Sequence, residues 1–457
     1  MGALEEGHCC LGLENGSKLG PIGLHVEGQQ EIGEIEGAVK TLLQGLDEDI
    51  NREGLIRTPR RVALAFMEGT SGYRMSVKEI VQDAIFPEAG LDDRVGEAGG
   101  NGGLVVVRDL GLFSYCELCL LPFQVNCHVA YVPAGQRVVG LSKLSRAADV
   151  FAKRLQDPQR LADEVCSALH NVIKPAGVCV ILQCQHIHFP GSESSFEKEI
   201  QVSSGSGVFE ERETDIWGEL LGLLRLKGFP RRDISMKNSN QTWCPSLGSG
   251  ASRMSLSLAP SLTNAVDSII RSVGENPSRK ELIGTPARFL RWLMKFKKPN
   301  LEMKLNGYVS SKLQLHEPNC EVGCDQKIFS VLNLPFCSQC EHHLLPFHGV
   351  VHVGGYFCAS GGINPVGKPL LQSIVHFHGS KLQVQERLTR QIAETVAPLF
   401  GGDVMVVVEA KHTCMVSRGI GKFGSHTATV ARLGQFLSDP GARALFMQTL
   451  PAETPNW

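Results

Sequence analysis

The second half of this sequence reads as an altered copy of the first, and that duplication limits the fold more than any compositional feature. Thr58-Pro59-Arg60-Arg61 returns as Thr285-Pro286-Ala287-Arg288, 227 residues later. Arg154-Leu155-Gln156 returns as Lys381-Leu382-Gln383, and Gly207-Val208-Phe209 as Gly434-Gln435-Phe436, at the same spacing. Between these anchors, Tyr115-Cys116-Glu117-Leu118-Cys119-Leu120-Leu121-Pro122-Phe123 matches Gln339-Cys340-Glu341-His342-His343-Leu344-Leu345-Pro346-Phe347 at a spacing of 224, so a three-residue insertion follows in the second copy. Copies of roughly 200 residues are domains, not solenoid units.

The expected division is a tail over 1–30, a first domain over 31–228, a linker over 229–258 and a second domain over 259–457. The linker is placed by the turn formers Asn238-Ser239-Asn240 and Gly248-Ser249-Gly250. Each copy reads as a helical front followed by mixed strands and helices. Thr58-Pro59 and Thr285-Pro286 resemble an N-cap followed by proline at the first helical position. Helical periodicity marks 158–173 and 385–396. Residues 104–107, 128–132, 178–188 and 404–414 read as strands. The expected class is α+β, an antiparallel sheet with helices on one face.

A formal charge of −2 provides no basic field for nucleic acid. No run of eighteen apolar residues suggests a membrane span. The opening MGALEEGHCC has neither an apolar signal core nor an Arg-rich transit pattern, so the expected location is cytoplasmic. The fifteen cysteines are then expected to be reduced thiols, some of them metal ligands.

In the second copy, Cys340 and His343 are three residues apart. Strand alternation over 404–414 would place His412 and Cys414 on one face. Cys340, His343 and Cys414 form a soft S₂N set suited to Zn²⁺, with a fourth position left for water. His342 and His412 remain as unligated imidazoles for acid–base work. Cys337 makes Cys337-Ser338-Gln339-Cys340 look like a CxxC pair, but a deaminase would need an H-x-E that this region lacks.

The runs Cys340–Phe347, Gln383–Leu388 and Glu409–Gly419, read as CEHHLLPF, QxQERL and EAxHxCMxxRG, resemble GTP cyclohydrolase I, and the tandem arrangement resembles the family's two-domain plant form. The resemblance covers nearly the whole chain twice. It implies two tandem tunnelling-fold domains in a homo-oligomer and hydrolysis of GTP to 7,8-dihydroneopterin triphosphate and formate, in pterin and folate biosynthesis. It also implies zinc at Cys340, His343 and Cys414, proton transfer by His342 and His412, guanine binding by Gln385 and Glu386, and Arg418 facing the triphosphate.

The copies depart from the family pattern in different places. The triphosphate motif GLSKxxR survives in the first copy as Gly140 to Arg146, with Ser142, Lys143 and Arg146; the second has Pro369, Leu370 and Ser373 there. The first copy instead carries Leu118 at the His342 position and Pro158-Gln159 at the Gln385-Glu386 position. The implied site is composite, with zinc and base recognition from the second copy and phosphate grip from the first. Cys116, Cys119 and His188 stand at the first copy's three ligand positions, so either a second, noncatalytic zinc or relic core thiols are expected there. Other readings of the chain are a GTP-binding scaffold and a different tunnelling-fold pterin enzyme.

Overall fold

The computed structural model describes residues 27–81, 85–87, 103–134, 137–186, 199–212, 214–226, 243–247, 259–297, 326–358, 367–420 and 425–451. The first repeat runs α1 (Glu27–Gly45), α2 (Thr58–Gly69), α3 (Val77–Val81), β1 (Ile85–Pro87), β2 (Val105–Cys116), β3 (Pro122–Val132), β4 (Arg137–Val139), α4 (Leu141–Ala152), β5 (Leu155–Gln156), α5 (Pro158–Ile173), β6 (Gly177–His186), β7 (Glu199–Gly207) and α6 (Asp215–Arg225). The second runs α7 (Pro260–Ser272), α8 (Thr285–Leu293), β8 (Gln326–Cys340), β9 (Pro346–Cys358), α9 (Lys368–Gly379), β10 (Leu382–Gln383), α10 (Gln385–Val396), β11 (Val404–His412), α11 (Thr413–Val416), β12 (Thr427–Leu433), α12 (Gln435–Ser438) and α13 (Pro440–Gln448). No helix among the described residues is long and apolar enough to cross a membrane.

Each repeat builds one five-stranded sheet, in the orders β5-β2-β3-β6-β7 and β10-β8-β9-β11-β12. The short edge strands β5 and β10 run parallel to β2 and β8, and the other pairs are antiparallel. The duplication extends to local irregularities. The β2–β3 ladder is bulged between Val107 and Leu110, and β8–β9 between Val331 and Leu334. Asp109 and Asn333 occupy these bulges at positive φ, 58° and 56°. Their backbone N–H groups donate to Nδ1 of His128 and His352, at 3.2 and 3.3 Å. These histidines are buried structural acceptors, and burial lowers both pKa values, that of His352 to about 4.

The second repeat's main core lies where Val351, Val353, Val404, Val406 and Val408 meet Ile374, Val375, Leu388 and Ile392 of α9 and α10. The other face also carries cover. Trp217, Leu220 and Leu224 of α6 join Ala130, Val132, Cys179 and Ile181, and Phe446 of α13 joins Met405 and Val407. Helices therefore lie on both faces, because the central strands are apolar on both sides.

The helical fronts are exchanged between the repeats. Thr58 and Thr285 are the first residues of α2 and α8, not their caps, which are Arg57 and Gly284. The Thr58 hydroxyl donates to the Glu341 carbonyl, 2.8 Å away, and the Thr285 hydroxyl to the Glu117 carbonyl, 2.5 Å away. Helices α1 and α7 pack together, and a single core continues from them into the first sheet.

Candidate active site and metal centre

Cys340 is the last residue of β8, and the chain turns back at once. Its N–H donates to the Leu345 carbonyl and its carbonyl accepts from Leu344 N–H, both at 2.9 Å. Leu344 has a φ of 50°, matched by Leu120 at 57° in the first repeat. This tight turn returns His343 toward Cys340, with Nδ1 4.0 Å from Sγ. Cys414 completes the cluster, and the three donor atoms lie within 4.8 Å of one another. Cys414 is not on a strand face, as the alternation suggested. β11 ends at His412, and Cys414 lies in the short helix α11. That helical turn directs the thiol back to the end of β8.

The hydrogen bond with Cys414 draws Cys340 well below the ordinary thiol range, and the same bond, with burial, pushes Cys414 up. Two converging thiols and an imidazole are a donor set that fits zinc and leaves one coordination position open. Cys337 lies outside the cluster; burial pushes its thiol up to about 12.

His412 sits beside the cluster with its ring stacked on Phe347, centroids 4.6 Å apart and planes at 4°. Its Nε2 lies 2.8 Å from Oε1 of Gln385. The Gln385 amide nitrogen donates to the Val408 and Thr427 carbonyls at 3.0 and 2.9 Å, which leaves the oxygen for His412. An amide oxygen only accepts, so in this contact the proton is on Nε2 of His412. Gln385 is only 2% exposed and its amide is engaged within the chain. It positions His412, a role the sequence alone did not suggest.

The family-wide model of GTP cyclohydrolase I matches residues 35–216 and, a second time, residues 262–451. The chain belongs to the GTP cyclohydrolase I family. A GTP cyclohydrolase 1 of Solanum lycopersicum is 57% identical over 458 residues, covering 99% of this chain and 98% of the relative. One of Arabidopsis thaliana is 58% identical, covering 98% and 97%. One of Dictyostelium discoideum is 36% identical over 206 residues, covering 44% of this chain and 80% of its own length. The full-length matches carry the tandem form, and the two curled sheets are two tandem tunnelling-fold domains.

Against the GTP cyclohydrolase I pattern, the other expected site residues separate into two groups. His342 is partly exposed next to the cluster, its ring perpendicular to that of His343 with centroids 6.5 Å apart. Arg418 donates to Nε2 of His343 at 3.0 Å, and its Nε lies 3.7 Å from Glu68 of the first repeat. Glu386 is exposed in the first turn of α10, and no cation among the described residues pairs with it. First-repeat residues also border this centre: Phe66 and Tyr115 line one void with His343 and Leu344. The expected phosphate residues are elsewhere. Ser142 and Arg146 are exposed and Lys143 half-buried on the first turns of α4, which packs on α3, α5 and β2 of its own repeat. Among the described residues, no hydrogen bond or ion pair joins Lys143 or Arg146 to the second-repeat cluster.

In the first repeat, His188 lies outside the described residues. Cys116 and Cys119 are joined instead by His186, the last residue of β6, and by Cys244, from the segment read as linker.

Proposed function

We propose that this GTP cyclohydrolase I family chain hydrolyses and rearranges GTP, with water, to 7,8-dihydroneopterin triphosphate and formate, using zinc at Cys340, His343 and Cys414. The observation that carries the reading is the convergence of those three donors beside a histidine whose tautomer is fixed by a buried amide. When bound, the zinc supplies Lewis acidity that brings a water's pKa toward neutrality.

The chain's own groups perform the remaining steps. His412 Nδ1 takes and returns protons at the purine imidazole ring, and the Gln385 oxygen holds its Nε2–H. His342, partly exposed at the mouth of the cluster, is the second proton carrier. The exposed Glu386 carboxylate accepts from guanine N1–H and the exocyclic amine, a bidentate, charge-assisted match. Arg418 meets the phosphates. His343, whose Nδ1 faces Cys340 Sγ, would offer that nitrogen to the metal.

Ser142, Lys143 and Arg146 supply the rest of the phosphate grip at the start of α4, where backbone N–H groups favour an anion. Because α4 packs within its own repeat, we place the complete pocket where the first repeat of one chain meets the second repeat of another, within a homo-oligomer. The experiment is formate release from GTP by the zinc-loaded full chain. Formate in step with a dihydropterin product supports the reading; GTP binding without formate overturns it.

A further inference from the structure

The first repeat contains a second convergence of soft donors. Sγ of Cys116, Cys119 and Cys244 and a ring nitrogen of His186 all lie within 4.8 Å of one another. His186 Nε2 is 3.4 Å from Cys119 Sγ and 3.7 Å from Cys244 Sγ. A tetrahedral zinc with Zn–S of about 2.3 Å and Zn–N of about 2.0–2.1 Å would hold sulfur and nitrogen about 3.5 Å apart. The observed distances fall on either side of that value.

We infer that Cys116, Cys119, His186 and Cys244 form a closed, four-coordinate structural zinc site that fastens the segment between the repeats to the first domain. Burial separates this centre from the one at Cys340. The three cysteines are 0% exposed and His186 is 8% exposed. Phe123 and Trp243 enclose the imidazole, with Trp243 5.0 Å from His186 and edge-on to Phe123 at 4.9 Å. Four protein donors leave no position for water, the arrangement of structural zinc and not of catalytic zinc.

The altered sequence of the first repeat explains how the site could arise. By strand register, His186 faces Phe123 as His412 faces Phe347, so the two histidines are equivalent. In the second repeat Gln385 holds that imidazole. The first repeat has Pro158 at the matching position, and proline has no amide to hold it. His186 turns instead to Cys119, which replaces His343, and Cys244 supplies a donor without a counterpart in the second repeat's cluster.

The surroundings suit the charge of such a centre. Three thiolates around Zn²⁺ leave one net negative charge. Arg288, from the second repeat, donates from Nε to the carbonyl of Leu118, the residue before Cys119, at 2.6 Å, which brings a cation to this turn. Ser246 Oγ lies 3.0 Å from Cys244 Sγ and can donate to a thiolate. Trp243 Nε1 donates to Asp157 at 3.1 Å, fixing the segment on the other side. Free cysteines are often merely buried. Four metal-binding side chains from β2, its turn, β6 and the inter-repeat segment, meeting at one point, are not needed for apolar packing.

The test is metal content, which does not depend on GTP turnover. The full chain, purified without chelator, should contain two zinc ions per chain. Cys414→Ser should lower this to one. Cys119→Ser/Cys244→Ser, which leaves only two donors, should also lower it to one, and the three changes together should leave none. In the Cys414→Ser protein, zinc-edge X-ray absorption should show three sulfurs and one nitrogen. This arm stands even if Cys119→Ser/Cys244→Ser fails to fold. One zinc per chain that Cys414→Ser removes and Cys119→Ser/Cys244→Ser leaves would overturn the inference. So would a Cys116–Cys119 disulfide in the freshly purified chain by mass spectrometry. One zinc that only Cys119→Ser/Cys244→Ser removes would uphold this site and contradict the catalytic centre instead.

Discussion

Arg52 of the first repeat donates to Glu341 of the second at 2.8 Å, and Arg279 of the second donates to Glu117 of the first at 3.0 Å. Each carboxylate directly follows a metal-site cysteine, Cys340 or Cys116, and each arginine belongs to the other repeat's helical front. The repeats therefore support each other's cysteine-bearing turns. Glu341 also accepts from Arg387 at 2.6 Å.

That contact predicts a pH-dependent stability difference. Burial alone would raise the Glu341 pKa, but hydrogen bonds from Arg387 and Arg52 outweigh it and hold the carboxylate below its ordinary value. A lowered carboxylate contributes stability that is complete above the unfolded pKa of about 4.3 and is lost as pH falls through the folded value. Glu341→Gln should cost about 1.5–3 kcal/mol at pH 7, and the gap should close on acidification below about pH 4. Urea denaturation at a series of pH values measures both. A gap of the same size at both ends would show that the ion pairs contribute little.

Cys414→Ser should remove the zinc of the second repeat together with GTP turnover, because two remaining donors hold zinc poorly. Full turnover by a protein that has lost that zinc would show that the metal is not part of the reaction.

Gln385→Ala separates positioning from base binding. If the amide only fixes His412, kcat should fall about tenfold or more, KM for GTP should change little and zinc should remain. A raised KM with unchanged kcat would return Gln385 to the guanine.

Much of this arrangement could be read in advance. The duplication was visible in three anchors at one spacing, and the 158–173 and 385–396 helices emerged with the expected bounds, since their apolar residues keep a helical period. Local pattern could not show that the chain leaves the strand at His412 and winds into a helical turn at Cys414. The roles of Gln385 and His186 depend on what their side chains meet across the sheet. Cys244 stood in a stretch without periodicity, so nothing in its neighbours pointed to Cys116. The exchange of Arg52 and Arg279 was hidden for the same reason: each partner lies more than a hundred residues away.

Phosphate recognition predicts a loss in a domain without the proposed proton carriers. Lys143→Ala should raise KM for GTP about 10- to 150-fold, the equivalent of roughly 1.5–3 kcal/mol for a lost charge-assisted hydrogen bond. Arg146→Ala should do likewise, with a smaller effect for a substrate bearing fewer phosphates.

The most direct test of a pocket shared between repeats is complementation between two crippled chains. Lys143→Ala and His412→Ala proteins should each release little formate from GTP at low substrate. Co-expressed, they should recover a substantial part of wild-type activity, because some pockets then pair an intact α4 from one chain with an intact His412 from the other. Mixed assemblies no more active than the average of the two parents would contradict a pocket formed between chains.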